Sequence, residues 1–357
     1  MAYLKSLLPA ECLFMAVVKA NAYGHGDVEV SKAALSAGAG CLGVALIEEA
    51  ERLRSAGFSC PVYLLFEPPP EAAGSVLDND IICAAYTPEL AKALSAEAEK
   101  RGTTARVHLK VDTGMRRVGV HPGDVAGFAR LLAGLPGLYV EGIYTHFAVA
   151  TEPDDPFTEK QMDLFDAAAS EAEKLLGRSL LKHAANSAGV LAFPRSRYDM
   201  VRVGIAMYGL SPSERFGDVT ELRPALSLEG EVALVKKVAA GEGVSYGLTY
   251  APSEETFIAT LPIGYADGFS RILSGKAEVL IGGTRRPVVG TICMDLSMVE
   301  LGPEAVPPGT PFVIIGNDGG EEITADEVAE KCGTINYEVV CMISARVPRV
   351  YTEGGAG

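Results

Sequence analysis

The segment "AVVKANAYGHG", residues 16–26, places a lysine directly after an apolar run and follows it with two glycines. Val17 and Val18 are β-branched and indicate the end of a short buried strand. Gly24 and Gly26 predict the turn that leaves this strand. Lys19 therefore lies at a strand end, where a lone lysine commonly reaches water or pairs with a carboxylate. Whether it has a chemical role depends on what the rest of the chain brings to it.

Composition narrows the class of protein. The chain has 357 residues, enough for two domains, and is 48% hydrophobic and 22% charged, as in soluble globular proteins. Its net charge of -15, from 31 basic and 46 acidic residues, disfavours nucleic acid and anionic membranes as partners. No apolar run reaches the ~18 residues that a membrane helix needs, and the beginning of the chain lacks the features of a signal peptide.

Cysteine and histidine usage favours a cytoplasmic location and disfavours a metal site. The seven cysteines include no C-x-x-C pair, which indicates reduced thiols rather than a disulfide framework. The five histidines show no metal-ligand spacing, so we expect no protein-bound metal.

Alternating apolar runs and helical patterns predict the fold of the first part of the chain. Eight runs are strand candidates: "MAVVKAN", "CLGVALI", "PVYLLF", "IICAAY", "ARVHLKVD", "VEGIYTHF", "LKHAANS" and "MVRVGIA". Helical patterns lie between most of them, which predicts an α/β fold with an N-terminal TIM-like (β/α)8 barrel over residues 1–217. A doubly wound sheet is the alternative, although no G-x-G-x-x-G follows the first strand.

The remainder, residues 218–357, is predicted to be a mainly β domain. A polar, proline-containing linker, "SPSERFGDVTELRP", precedes a series of apolar runs separated by Gly and Pro turns. One helix is indicated within it, because Thr324 and Glu327 form a T-x-x-E capping box.

Polar residues at the predicted strand ends mark a candidate site, since barrels of this kind carry their sites at the C-terminal ends of the strands. They are Lys19, Tyr23, Lys110, Asp112, Arg117, His146, Asn186, Ser187 and Arg202, with the backbone of Gly204 and Ile205. Several are basic, which suggests an anionic ligand.

Ser187 and the Gly204–Ile205 amides lie after strands 7 and 8, where barrels commonly bind phosphate. Ser187 could equally be the N-cap of the helix that follows it. A phosphate site, a strand-end lysine and no metal together suggest pyridoxal 5'-phosphate (PLP), with Lys19 forming the Schiff base.

The opening segment also resembles the PLP-binding signature of the bacterial alanine racemases. Further segments resemble the family in the same order over nearly the whole chain: "KVDTGMRRVG", "GIYTHFA", "HAANSAG", "DMVRVGIAMYGL", "VSYGLTY", "GTICMDLSMV" and "RVPRV". The resemblance implies a PLP-dependent isomerase of fold type III that acts as a homodimer.

By this resemblance, Lys19 and Tyr246 are the two catalytic bases on opposite faces of the cofactor. Tyr246 would reach the site from the partner subunit. His146 and Arg202 would lower the pKa of its phenol toward neutrality, so that it can act as a base. Arg202 would face the pyridine nitrogen and keep it unprotonated, which makes PLP a weaker electron sink.

The resemblance assigns further roles around the cofactor. Arg117 would lie near the phenolic oxygen and the substrate carboxylate, and Lys110 would be a carbamate that orients Arg117. A salt bridge between Lys110 and Asp112 is the alternative. Phosphate contacts are implied for Tyr23, Ser187, Gly204 and Ile205, and substrate contacts for Met294, Asp295 and Tyr265.

Two positions depart from the family. Ala345 stands where relatives usually carry a tyrosine, so we expect more room beside the substrate, enough for a larger amino acid such as serine. A strand that relatives carry before "YLKSLLPA" is missing, and a start codon assigned too late explains this better than a functional shortening, because an uncovered sheet edge is a liability.

The sequence thus predicts a cytoplasmic, homodimeric racemase that interconverts L- and D-alanine and supplies D-alanine for peptidoglycan. A racemase of broader specificity, for serine or another amino acid, is the first alternative, and a non-catalytic PLP-binding barrel protein is the second. A PLP decarboxylase is a third, but it would place an acidic residue where Arg202 lies.

Overall fold

The computed structural model describes residues 1–216 and 221–352. The chain divides into two compact units, Met1–Arg223 and Pro224–Gly357. The boundary predicted between residues 217 and 218 lies outside the described residues.

The first unit is built on eight parallel strands, as predicted. They pair in the order β7-β6-β5-β4-β3-β2-β1-β8. Backbone bonds from Arg202 N to Ala185 O (2.9 Å) and from Asp199 N to Lys182 O (3.0 Å) connect the ends of the β7 and β8 segments, so the barrel is nearly closed. The strands are β1 (Leu13–Val17), β2 (Cys41–Val44), β3 (Val62–Leu64), β4 (Ile81–Ala85), β5 (Ala105–Lys110), β6 (Leu138–Tyr144), β7 (Leu181–His183) and β8 (Met200–Val203).

Helices alternate with these strands and confirm the (β/α)8 prediction. They are α1 (Ala2–Ser6), α2 (Lys19–Tyr23), α3 (Asp27–Ser36), α4 (Ile47–Ser55), α5 (Ala73–Asp78), α6 (Pro88–Arg101), α7 (Val125–Ala133), α8 (Phe157–Leu176) and α9 (Ser187–Ala192). No helix among the described residues is long and apolar enough to cross a membrane.

The turn after β1 is left-handed, which the two glycines alone did not predict. Ala20, Asn21, Ala22 and Tyr23 all have φ near +53°. L-residues pay roughly 1–2 kcal/mol each for this conformation and rarely adopt it in succession. Glu49 Oε1 accepts from Ala20 N at 2.6 Å, so a distant helix holds the turn in place. Strained backbone of this kind clusters at functional sites.

The second unit is mainly β, as predicted. Seven strands follow the order β10-β11-β14-β13-β12-β15-β16, and β9 pairs with β15. The strands are β9 (Leu228–Glu231), β10 (Leu234–Val238), β11 (Thr256–Leu261), β12 (Glu278–Ile281), β13 (Thr284–Val289), β14 (Ser297–Gly302), β15 (Pro311–Asp318) and β16 (Glu321–Ile323). The helices α10 (Ala325–Cys332) and α11 (Asn336–Met342) follow them.

The predicted capping box of α10 is half present. Thr324 Oγ1 accepts from Glu327 N at 3.0 Å and caps the helix. The Glu327 carboxylate binds Arg285 and Lys331 instead of returning to the cap, because these cations lie within 3 Å of its oxygens.

Candidate active site

Three cations gather around one aromatic ring at the C-terminal ends of the barrel strands. The Phe66 ring centroid lies 4.4 Å from Lys110 Nζ, 5.3 Å from Arg117 Cζ and 5.8 Å from Lys19 Nζ. Cation–π attraction offsets part of their mutual repulsion. A cluster of like charges in a half-buried site favours an anionic ligand, as the sequence suggested.

Lys110 is buried beneath this cluster. Its Nζ donates to Leu65 O at 3.0 Å, and Tyr144 Oη donates to the same carbonyl at 2.8 Å. Burial and the neighbouring charges of Arg202, Arg117 and Lys19 lower the pKa of Lys110 to about 7. An amine at this pKa is largely neutral slightly above pH 7, which is the form that reacts with carbon dioxide.

The alternative partner for Lys110, Asp112, is engaged elsewhere. Asp112 Oδ1 accepts from Gly114 N and Arg116 N, both at 3.0 Å, and so fixes the turn after β5. No ion pair between Lys110 and Asp112 occurs in the described part of the chain. The local salt bridge is therefore not formed.

The depressed pKa of Lys110 predicts a pH-dependent stability. The unfolded lysine titrates near 10.4, so the unfolded state binds more protons between pH 7 and pH 10 and the folded state gains stability as pH rises. In CO2-free buffer, we expect the free energy of unfolding of the wild type to rise by on the order of 4 kcal/mol relative to Lys110→Met over this range. Chemical denaturation at each pH measures it, with Lys174→Met on the surface of α8 as control. Parallel profiles for wild type and Lys110→Met would contradict the assignment.

Arg202 is held in the barrel interior by partners on two neighbouring strand ends. Its Nη2 donates to Thr145 O and Ala184 O at 2.8 and 2.9 Å, and its Nη1 lies 2.9 Å from His183 Nδ1. Burial lowers the pKa of Arg202 to about 10, so it stays cationic at neutral pH. Its Nε and one Nη1 hydrogen have no acceptor among the described residues, and remain able to donate to a ligand atom.

His146 lies at the edge of the same cluster. Its Nδ1 is 3.4 Å from Arg202 Nη2. Burial, together with the charges of Arg202, Arg117, Lys110 and Lys19, holds its pKa well below the ordinary imidazole range. A neutral His146 can accept a hydrogen bond from a donor that enters the site.

The residues predicted to bind phosphate lie together at the ends of β7 and β8. Ser187 Oγ accepts from Gly204 N at 3.1 Å and Ala206 N at 3.3 Å, so its own hydrogen is directed elsewhere. A Cβ at Gly204 would lie 2.4 Å from the Tyr23 hydroxyl oxygen, which therefore needs a glycine there. Ile205 begins a short 3-10 turn, Ile205–Tyr208, beside them.

The alternative role of Ser187 as a helix cap is wrong. Asn186 is the N-cap of α9, and its side-chain oxygen accepts from Gly189 N at 2.9 Å. Asn and Ser cap helices equally well, so the sequence alone did not decide between neighbouring positions. Ser187 is left available for the site.

In the second unit, Tyr246 follows a residue in a conformation that is almost restricted to glycine. Ser245 has φ 65° and ψ -174°. Its Oγ donates to Thr291 O at 2.6 Å, while Thr291 Oγ1 donates to Tyr246 O at 2.9 Å. This pair of bonds holds the strained turn and leaves the Tyr246 side chain 73% exposed. The unit therefore presents a phenol on its surface at a fixed position.

Tyr265, Met294 and Asp295 lie on two segments that contact one another. Tyr265 N donates to Cys293 O at 3.0 Å, and the Tyr265 and Met294 side chains are both exposed. Asp295 Oδ1 accepts from Arg346 Nη2 at 2.7 Å. The structure therefore brings these three residues into one region of the second unit.

Sequence reasoning missed several residues of the first site. Leu65 O, Phe66 and Tyr144 contact Lys110, and His183 contacts Arg202. His183 stacks on Tyr144 with the ring centroids 4.6 Å apart. His183 and Tyr144 could have been recognised, since both lie at the ends of predicted strands. Leu65 could not, because it contributes only its backbone carbonyl, which any residue carries.

Comparison with known proteins agrees with this geometry. Residues 1–212 match the family model described as "Alanine racemase, N-terminal domain", and residues 225–351 match "Alanine racemase, C-terminal domain". The chain belongs to the alanine racemase family. The predicted family and the predicted enzyme class, an isomerase acting on an amino acid, are confirmed by these matches.

Relatives match over almost their full length. An alanine racemase from Desulfovibrio desulfuricans is 45% identical over 357 residues, covering 99% of this chain and 95% of the relative. One from Symbiobacterium thermophilum is 49% identical over 339 residues, covering 94% and 90%. The solved alanine racemase from Bacillus anthracis with bound L-Ala-P has a TM-score of 0.94 at 42% identity, covering 99% of this chain and 92% of that one. The alanine racemase of Streptomyces lavendulae has a TM-score of 0.93 at 40% identity, covering 98% and 93%.

Proposed function

We propose that this family member interconverts L-alanine and D-alanine with PLP, using Lys19 and Tyr246 as its two bases. The observation that carries the proposal is the convergence of Lys19, Lys110, Arg117 and Arg202 on one end of the barrel, beside the Tyr23–Ser187–Gly204 group. A phosphate-bearing aldehyde whose ring needs a cationic partner suits this set of groups. The homodimer, the cytoplasmic location and the supply of D-alanine for peptidoglycan belong to the same proposal.

The residues present fit the cofactor. Ser187 accepts two backbone N–H groups, so its hydroxyl hydrogen can donate to a phosphate oxygen. The Tyr23 hydroxyl fills the space above Gly204, where a second donor would reach the same anion. Lys19 would attach the cofactor, and the free N–H groups of Arg202 would donate to the pyridine nitrogen. PLP bound there would delocalise negative charge from the substrate Cα into its ring.

Arg202 determines which reaction is favoured. A carboxylate at the pyridine nitrogen would hold a proton on it, whereas the buried Arg202 can only donate and keeps the nitrogen unprotonated. Charge at Cα is then weakly stabilised and short-lived, so reprotonation outruns competing bond cleavage. This supports racemisation over decarboxylation.

Two bases are needed because inversion requires proton removal from one face of Cα and delivery to the other. Lys19 lies within the barrel, and Tyr246 would be supplied by the partner subunit. The neutral His146 would accept a hydrogen bond from the phenol, and the positive charge of Arg202 beside His146 would favour the phenolate anion. A non-catalytic PLP carrier would not need Tyr246 held on a strained turn.

Lys110 is proposed to carry a carbamate that orients Arg117. Its low pKa, and the fact that no ion pair to Asp112 forms among the described residues, support this, since the modification places an anion among Arg117, Arg202 and Lys19. A carbamate signal from Lys110 in 13CO2-equilibrated protein, absent from Lys110→Met, would confirm it.

Exchange of the α-hydrogen with chiral analysis tests the proposal. Purified protein with PLP is incubated in D2O with L-alanine, L-serine or L-lysine separately. We expect deuterium at Cα together with the D-enantiomer, fastest for alanine. Cofactor attached at Lys19 with neither exchange nor D-product would overturn the proposal, and carbon dioxide release would favour the decarboxylase.

Ala345 is expected to widen the range of substrates. It is exposed in the turn after α11, next to Arg346, which binds Asp295. Restoring the family's bulk with Ala345→Tyr should raise the preference for alanine over serine, measured as the ratio of kcat/KM values, by about tenfold. Val350→Tyr, at another exposed position, is the matched control. An unchanged ratio would show that residue 345 does not limit the substrate.

A further inference from the structure

A line of polar groups runs through the barrel interior behind Arg202. His183 Nδ1 lies 2.9 Å from Arg202 Nη1, and His183 Nε2 lies 2.8 Å from His108 Nδ1. His108 Nε2 in turn lies 3.7 Å from Glu141 Oε2. Both histidines are 1% exposed. Neither His108 nor Glu141 contributes to the roles assigned above.

The chemistry of arginine fixes the direction of the two hydrogen bonds in this line, from Arg202 to His183 and between His183 and His108. A guanidinium has only donors, so His183 Nδ1 must accept and its hydrogen must be on Nε2. That hydrogen is donated to His108 Nδ1, which leaves the hydrogen of His108 on Nε2, facing the Glu141 carboxylate. A protonated His108 would place two donors against each other at one of the two contacts.

Glu141 reaches this position through an irregularity in the sheet. Val107 pairs with Val140 and His108 pairs with Gly142, so Glu141 is the extra residue of a β-bulge. Bulges redirect side chains and are found next to active sites. A Cβ at Gly142 would lie 2.4 Å from His108 Cε1, so the glycine makes room for the ring.

The line also connects the Arg202 cation with the Glu141 carboxylate. No carboxylate lies within ion-pair distance of Arg202 in the residues that the structure describes. Glu141 Oε2 and His108 Nε2 have no hydrogen-bond partner among the same residues, and the contact between them is 3.7 Å long. The buried Arg202 cation requires compensation, and two neutral imidazoles lie between it and the Glu141 carboxylate, whose side chain is 28% exposed.

We propose that His108 and His183 form a directional hydrogen-bond relay, with the charge of the Glu141 carboxylate at its far end, that orients Arg202 for the cofactor. Glu141 and His108 are then positioning residues, which act through His183. Their effect on turnover rests on the proposed function, whereas the relay itself does not. Hydrogen bonds in series polarise one another, so the carboxylate makes His183 Nδ1 a stronger acceptor for Arg202.

The surroundings keep both rings neutral. Burial lowers the pKa of His108 and outweighs the opposing attraction of Glu141, and the charges of Arg106 and Arg202 lower it further. Burial and the charges of Arg202 and Lys110 hold the pKa of His183 well below its usual range. Tyr63 and Tyr144 pack against the rings and provide no charge at neutral pH.

Nitrogen NMR of 15N-histidine-labelled protein tests the relay directly, and five histidines make assignment tractable. We expect His108 and His183 of the wild type, with and without PLP, to be neutral Nε2–H tautomers, and to remain so below pH 6.5, the ordinary pKa of imidazole. An Nδ1–H tautomer or a charged ring at either position would overturn the inference. The test uses the wild-type protein, so its result does not depend on whether a variant folds.

Variants test the consequence for turnover. Glu141→Gln removes the charge and should lower kcat about tenfold while KM for L-alanine changes less than about twofold. His108→Phe removes the acceptor for His183 and should also lower kcat about tenfold with little change in KM. His108→Asn keeps an acceptor in place of Nδ1 and should retain most of the wild-type rate. Equal losses in the Phe and Asn variants would contradict the positioning role. Glu97→Gln on α6 is the control.

The outcomes separate the two proposals. Expected tautomers in a wild type that fails to racemise would support the relay and reject the proposed function. Racemisation by a wild type with other tautomers would reject the relay alone.

Discussion

Replacing Lys19 with alanine is expected to abolish covalent attachment of PLP and to lower the rate of racemisation by about 10⁴-fold. Lys19 is the amine that attaches the cofactor and the base on one face, so both functions are lost together. Borohydride reduction followed by mass mapping should place the cofactor on Lys19 in the wild type and nowhere in the variant. Chiral analysis of alanine measures the rate.

Two further variants sharpen this result. Lys19→Arg keeps a cation near the Phe66 ring but cannot attach PLP, so it should lose activity as fully as Lys19→Ala. Lys174→Ala, on the exposed side of α8, should retain wild-type activity. Cofactor found on Lys110 instead of Lys19 would contradict the assignment of Lys19 as the site of PLP attachment.

Replacing Tyr246 with phenylalanine is expected to lower racemisation by about 10²–10⁴-fold while leaving the fold intact. The side chain is 73% exposed in the second unit, so loss of its hydroxyl should not change the free energy of unfolding. Because Lys19 is still present, one enantiomer should continue to exchange its α-hydrogen in D2O without inversion. Comparison of exchange from L- and D-alanine measures this asymmetry.

Tyr139→Phe is the matched control for this variant. Tyr139 is also an exposed tyrosine, and its ring contact with Arg178 survives the loss of the hydroxyl. Equal loss of exchange from both enantiomers in Tyr246→Phe would point to a single base and contradict the two-base proposal.

Local patterns in the sequence were sufficient to predict the barrel. Each of the eight apolar runs proved to contain a strand, because burial on both faces makes such runs continuous. The alternation of side chains along a strand also places His108 and Lys110 on one face of β5. The carboxyl ends of parallel strands meet at one end of a barrel, and Lys19, Lys110 and Arg202 lie together there.

Other features depend on residues that are far apart in the chain. The left-handed turn at Ala20–Tyr23 is held partly by Glu49, and Ser187 is oriented by the amides of Gly204 and Ala206. The short strand β16 was not predicted, because its three residues acquire strand structure only by pairing with β15.

The sequence by itself determined which residues form the barrel and which lysine ends its first strand, since both follow from local periodicity and composition. Only the tertiary structure decided how the positive charge of Arg202 is compensated. Its cation and the Glu141 carboxylate are joined through two histidines on different strands, and a one-residue bulge turns Glu141 toward them. Register and hydrogen-bond direction arise from pairing between strands, and no single stretch of sequence contains that information.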